Sequence, residues 1–263
     1  MHDATAAKLS VRRVQLVPNG AGRVTLDAPS LGALTQTLRD AEADRDVGLI
    51  ALEAPRGGFC FGMDLDAIAH GAPAECERGI HAYTRCLEQL RGSNKLVVAL
   101  VAGPALGAGL GLAACADIVI ATTDARFGLP EVVLGLAPAI VLTTLNERLS
   151  PQKARRLALS GASLSALEAA TLGIVDQVVP DVDALERALA KVRREAQRSD
   201  ADARACVKQL CREFATLDPA AALRVGADCT RTLLTSAKVR AAVREFAEHG
   251  VLRPQRASEE RER

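Results

Sequence analysis

The stretch Leu96–Glu131, LVVALVAGPALGAGLGLAACADIVIATTDARFGLPE, decides how the rest of the chain is read. It carries no charge from Leu96 to Ala116, opens on a β-branched run, breaks at Gly103-Pro104, and then places Gly107, Gly109 and Gly111 ahead of an Ala/Leu-rich segment. The pattern predicts a buried strand, a tight loop and a helix. A glycine-rich loop entering a helix leaves the first backbone N–H groups unpaired, aimed at whatever lies over the helix N-terminus, and that place favours developing negative charge. Further on, Phe127-Gly128-Leu129-Pro130-Glu131 sets one carboxylate in a loop punctuated by Gly and Pro, where a side chain can be presented without commitment to a helix face. Together the two features suggest an anion hole and a base.

Three other readings compete. The uncharged run is about as long as a membrane span, and Gly103, Gly107 and Gly111 follow the small-xxx-small spacing of membrane helix pairs. Pro104 and its neighbouring glycines, however, would break such a helix in the middle. A dinucleotide fingerprint fails on spacing, because Gly107-Ala108-Gly109-Leu110-Gly111 brings its last glycine one residue early and no acidic residue follows at the distance a ribose needs. Close backbone packing without chemistry stays open at this point.

With 263 residues the chain suffices for one large α/β domain or two small ones. Hydrophobic residues make up 49% of it but aromatics only 2%, with no Trp, so the core has to be built from Ala, Leu and Val. A net charge of +1 and the scarcity of stacking aromatics argue against nucleic acid as a partner. The seven cysteines are odd in number and form no CxxC pair, which speaks against disulfides and a zinc site, and most sit in apolar patterns as small hydrophobes. MHDATAAKLSVRR at the start has no apolar signal-like core, so a reducing cytoplasm is the expected address, with no membrane and no metal.

Working outward, Val11–Val17 and Arg23–Leu26 flank the turn Pro18–Gly22 and predict an antiparallel hairpin. Leu31, Leu34, Leu38 and Ala41 recur at helical spacing, and Val47–Leu52 predicts a buried strand reached by crossover. A second glycine-bearing loop, Ala54–Asp64, leads into Leu65–Ala69, where Asp64 is placed to cap a short helix and an N–H near Met63 could face the same anion as those near Ala108. Glu75–Leu90 reads as a helix carrying His81, Tyr83 and Arg85, whose facing the sequence leaves open. Ala139–Leu149 and Gln152–Leu159 read as helices separated by Ser150-Pro151, and Ser165–Glu168 is a capping box before the strand Ile174–Val179. From Asp181 the pattern is wholly helical, and Arg253–Arg263 is a charged tail expected to be disordered.

Three linked motifs, Phe59-Cys-Phe-Gly-Met-Asp-Leu65, Val101–Asp117 and Phe127–Gly135, resemble in order and spacing the crotonase (enoyl-CoA hydratase/isomerase) superfamily over about Val11–Val179. The resemblance implies an α/β fold: a crotonase-like spiral of ββα repeats over residues 9–180, a helical C-terminal lobe over 181–252 for association or cover, and the tail 253–263. It implies no cofactor beyond the substrate's own phosphopantetheine arm, the acyl thioester being borne on acyl carrier protein (ACP) or CoA, and a homotrimer. By position, the oxyanion donors fall on the backbone N–H groups of Met63 and Ala108 and the base on Glu131. Phe61, Gly62, Asp64, Gly107, Gly109, Gly111, Pro130 and Pro138 then fall around the substrate. Typical hydratases carry a second glutamate where this chain has Gly111, so a glutamate-pair water addition gives way to chemistry with one carboxylate.

A narrower resemblance joins Phe59-Cys-Phe-Gly62, the Gly109-Leu-Gly111 step and Gly135-Leu-Ala-Pro-Ala-Ile-Val-Leu142 to the 3-hydroxy-3-methylglutaryl-ACP dehydratases of polyketide β-branching cassettes. It implies a lyase that removes water to give 3-methylglutaconyl-ACP, with a crotonase-like decarboxylase as downstream partner. An enoyl-CoA Δ3-Δ2 isomerase or a hydratase-like enzyme is the alternative, and a non-catalytic acyl-carrier binding module is the third reading.

Overall fold

The computed structural model describes residues 9–18, 22–55 and 58–250. Five parallel strands form the main sheet: β1 (Ser10–Gln15), β2 (Val47–Glu53), β3 (Leu96–Val101), β5 (Ile118–Thr122) and β8 (Gln177–Val179), in the order β1-β2-β3-β5-β8. A parallel sheet is buried on both faces, which is why the inner strands β2, β3 and β5 are nearly continuous Val, Leu, Ile and Ala, while the edge strand β1 keeps Arg12 and Arg13 exposed. Between the strands the chain crosses to a second, smaller layer. There β4 (Pro104–Leu106) pairs in parallel with β6 (Arg126–Gly128), which pairs antiparallel with β7 (Ser163–Ser165). Single bridges Leu26↔Met63 and Cys60↔Ala105 continue that layer. Each turn of the chain therefore runs sheet strand, short second-layer strand, helix, and the turns stack as a spiral of ββα repeats.

The predicted N-terminal hairpin does not form, and Asn19–Ala21 of its turn lie outside the described residues. Instead β1 pairs in parallel with β2, Val14 opposite Leu52, while Leu26 N–H donates to Gly62 O at 2.9 Å and Asp64 N–H to Leu26 O at 2.9 Å. The physical reason is burial in two layers. Val14 and Leu16 serve the main sheet and Val24 and Leu26 the second layer, all four under 5% exposed, so the two runs find partners in different layers rather than in each other.

The helices follow local signals. α1 (Ala28–Ala43) starts at the Asp27/Ser30 capping box and buries Leu31, Leu34, Leu38 and Ala41. Asp64 caps α2 (Leu65–His70), and α3 (Pro73–Gly92) buries Gly79, Tyr83, Cys86, Leu87 and Leu90 along one stripe. α4 (Ala108–Ala114) is buried throughout. α5 (Ala139–Arg148) and α6 (Pro151–Ser160) are separated by Ser150, whose hydroxyl accepts from Lys153 N–H, and α7 (Ala166–Leu172) begins at the Ser165/Glu168 box. Arg148 pins the end of α5 to the strand ends, donating to Ile174 O at 2.7 Å, Ala116 O at 3.2 Å and Asp176 Oδ2 at 2.9 Å.

The described residues divide into two compact units, Ser10–Val192 and a unit that runs from Arg193 to Gly250. The division falls inside α8 (Val182–Ala196) rather than at the 180/181 boundary expected from the change of pattern. Ala184, Leu185, Ala188, Leu189 and Val192 are all buried, which commits the first turns of that helix to the spiral unit. The other unit holds α9 (Ala201–Phe214), α10 (Pro219–Thr235) and α11 (Ala237–His249), tied by Lys238 Nζ to Asp200 at 2.7 Å and Asp202 at 2.6 Å. All seven thiols are free, with Cys206 and Cys229 Sγ 3.3 Å apart. Among the described residues no helix is long and apolar enough to cross a membrane, and Leu96–Ala116 is two strands and a short helix. The expected tail 253–263 lies outside the described residues.

Candidate active site

Two segments of the second layer meet at the start of α4. The first is Gly62-Met63: because Leu26 already bonds Gly62 O and Asp64 N–H, the pleat turns the N–H of Met63 to the opposite edge of that short strand. On that edge lies the second segment. A Cβ built on Gly62 would be 3.1 Å from Leu106 O, 3.5 Å from Ala108 N and 3.8 Å from Gly107 Cα, so the two backbones run in contact and only glycine, at φ +99°, takes this conformation freely. Ala108 is the first residue of α4 and has no carbonyl four residues back within the helix to receive its N–H. The two backbones therefore border one narrow gap, with Ala108 N on its far side. α4 has only seven residues, so its dipole is small and the N–H donors themselves carry any stabilisation of negative charge.

Glu131 stands at that gap. It lies in the first turn of a 3-10 helix, Pro130–Leu134, rather than in the open loop expected, and Leu136 N–H donates to its carbonyl at 2.9 Å. Its Oε1 is 2.9 Å from where a Cβ on Gly107 would be, so any larger residue at 107 would displace the carboxylate. Gly107 also sits at φ +52°, which favours glycine on backbone grounds. Oε2 is buried with no hydrogen-bond partner. Burial raises the Glu131 carboxyl above the ordinary carboxylate range, opposed only by its own backbone N–H. The arrangement sets a carboxylate of raised basicity beside Gly107, where the Gly62-Met63 and Gly107-Ala108 backbones meet.

The remaining predicted residues divide. Gly109 and Gly111 are buried in α4; a Cβ on Gly109 would be 2.4 Å from Cys60 O, which makes this glycine the condition for seating the helix. Phe61 carries the guanidinium of Arg23 5.3 Å above its ring. The Asp64 carboxylate is engaged with its own helix and with Thr25, accepting from Asp66 N at 3.0 Å, Ala67 N at 3.1 Å and Thr25 Oγ1 at 3.1 Å; this is capping rather than a substrate contact. Pro130 is exposed at the start of the 3-10 turn. Pro138 is buried and lines an open, mostly apolar cavity of about 780 Å³ with Val132, Leu142 and Arg155, whose walls include none of Glu131, Met63 and Ala108. His81 is exposed, with Nε2 3.7 Å from Glu77.

One residue at the site was not singled out by the sequence. Tyr83, 2% exposed, reaches from α3 to donate its hydroxyl to Ala108 O at 2.8 Å. The signal that places it is the stripe Gly79, Tyr83, Cys86, Leu87 and Leu90, which turns the only tyrosine of the chain inward. Among the described residues no group of three or more His, Cys, Asp or Glu is placed to hold a metal ion.

A family model described as Enoyl-CoA hydratase/isomerase matches residues 22–253. The 2,3-dehydroadipyl-CoA hydratase of Escherichia coli (strain K12) is 33% identical over 180 residues, which is 68% of this chain and 70% of that protein. Among solved structures, that of Pseudomonas aeruginosa AtuE is similar at a TM-score of 0.82 and 33% identity, covering 90% of this chain and 93% of the other. An enoyl-CoA hydratase/isomerase from Marinobacter aquaeolei is similar at a TM-score of 0.81 and 26% identity, covering 91% and 93%.

Proposed function

The chain belongs to the enoyl-CoA hydratase/isomerase family, and from that premise we propose that it works at C2 of a CoA-borne acyl thioester with Glu131 as its single base. The thioester oxygen enters the gap between the N–H groups of Met63 and Ala108. Glu131 takes the C2 proton, and the electron pair moves onto that oxygen as an enolate. From a 3-enoyl thioester, Glu131 then returns the proton at C4 and the double bond comes to lie between C2 and C3. Neither water nor a second acid is consumed, which suits a site with one carboxylate. Each N–H donor contributes about 2.7–4 kcal/mol, or roughly a hundred- to a thousandfold in rate. The observation that carries this reading is the half-buried Glu131 against Gly107, with Oε2 buried and unpartnered.

A second reading is elimination. From a 3-hydroxyacyl thioester, loss of the C2 proton and of hydroxide from C3 gives the enoyl product and water, with Glu131 handing its proton to the leaving oxygen. The segment Gly135–Leu142 and Gly111 favour 3-hydroxy-3-methylglutaryl-ACP as that substrate, with 3-methylglutaconyl-ACP as product and a decarboxylase as the downstream partner. The name of the Escherichia coli relative favours CoA as the thioester carrier and leaves the isomerase and elimination chemistries to the product. Incubation with a 3-enoyl-CoA, and with 3-hydroxy-3-methylglutaryl on CoA and on ACP, separates the two by product mass. Isomerisation keeps the mass and dehydration loses one water. Failure of all three substrates to give either product would overturn both.

A further inference from the structure

At Gly111 in α4 a side chain would project onto a phenol hydroxyl. A Cβ there would lie 2.1 Å from Tyr83 Oη, 3.4 Å from Tyr83 Cζ and 3.4 Å from Val141 Cγ2. The space beside Gly111 is therefore not vacant: the phenol hydroxyl fills it. The same hydroxyl donates to Ala108 O at 2.8 Å, in the first turn of α4, directly after the N–H that faces the oxyanion gap. Gly107 and Gly109 on either side give that turn little stiffness of its own. The phenol's own pKa is raised well above its ordinary value, chiefly by burial, and its proton is already committed to a carbonyl, so it is not placed to act as an acid.

We propose that Tyr83 is the positioning and specificity-determining residue of this site: its hydroxyl fixes the first turn of α4, and by occupying the space at residue 111 it leaves no room there for a second side chain. The substrates it selects are acyl thioesters whose reaction needs one base, and a two-carboxylate water addition is shut out by volume. This deepens the reading of Glu131 as sole base and rests on it.

The geometry gives a reciprocal test. Tyr83→Phe keeps the ring and removes only the oxygen, so kcat for C2 deuterium exchange on an accepted thioester should fall at least about tenfold while KM stays within about twofold, because the donor shifts while the pocket keeps its shape. Gly111→Ala alone drives its methyl into Tyr83 Oη and should lose at least as much. In Tyr83→Phe/Gly111→Ala the nearest atoms to the methyl are Cζ and Val141 Cγ2, both at ordinary contact, so the double variant should recover to the rate of Tyr83→Phe alone. Full wild-type kcat in Tyr83→Phe, or strictly multiplicative losses in the double variant, would overturn the proposal. Either result is read relative to the wild-type exchange rate, so it stands apart from failure of the base assignment, which would show as undiminished exchange in Glu131→Gln. A Tyr83→Phe protein that lost melting temperature but no kcat would mark a packing role only and would equally overturn it.

Discussion

A carboxylate that takes a proton from carbon must be more basic than one in water, and Glu131 gains that basicity by losing solvent. Two consequences follow at this residue. The acid limb of kcat/KM should lie above the ordinary carboxylate range, since the base must be ionised to act, and it should disappear with Glu131→Gln as kcat falls at least about a hundredfold. The second concerns stability. The folded pKa lies above the unfolded one, so the folded state binds more protons in the window between them, and the contribution of Glu131 is most favourable below the ordinary value and is lost as pH rises through the raised one. Glu131→Gln removes that loss. The variant should therefore melt higher than wild type at neutral pH and level with it below the ordinary carboxylate range; a lower melting temperature at neutral pH would contradict the burial argument.

Among the elements, α4 depends most on a single contact. Gly109→Ala would bring a methyl to 2.4 Å from Cys60 O, and the helix has to retreat. The expected cost is about 1–3 kcal/mol of stability, with a larger loss in kcat than in KM because Ala108 moves relative to Met63. Ser165→Ala is the counterpart: it removes a cap far along the chain, costing about 1 kcal/mol with kcat unchanged, and thermal melts paired with initial rates check both. These elements also show what could be read from sequence. Helices α2, α6 and α7 announce themselves because their caps are local, each a side chain within three residues of the N–H it receives, and α1 because Leu31, Leu34, Leu38 and Ala41 keep helical spacing. The three-residue strands β4 and β6 do not, because what makes them strands is pairing with each other across about twenty residues of chain. The Pro18–Gly22 turn misleads for a related reason: its residues have hairpin chemistry, but the partners of the flanking runs lie more than thirty residues further on. That Gly62 and Gly107 lie where two backbones meet, beside Glu131, was legible because glycines mark such close approaches. Tyr83 was not, since its importance lies in a contact with α4 that no local pattern encodes.

At the scale of the whole molecule, Val133 at 75% exposed, Leu159 at 72% and Leu167 at 65% leave large apolar side chains on the spiral unit, and the C-terminal unit exposes Leu223, Leu234 and Val243. We expect a closed homo-oligomer, the trimer implied by the sequence resemblance, so light scattering at micromolar concentration should give three times the 27.6 kDa of one chain. A monomer would contradict it. The chemistry itself is best tested on the assembled enzyme, whatever its stoichiometry. The measurement is solvent-deuterium exchange at C2 of a 3-enoyl-CoA and of 3-hydroxy-3-methylglutaryl thioesters, followed by mass for wild type and Glu131→Gln. Wild type should exchange at C2 of at least one of them, and Glu131→Gln, folded and binding the same thioester, should not. Exchange at the wild-type rate in the variant would mean that another group removes the proton and that Glu131 is not the base.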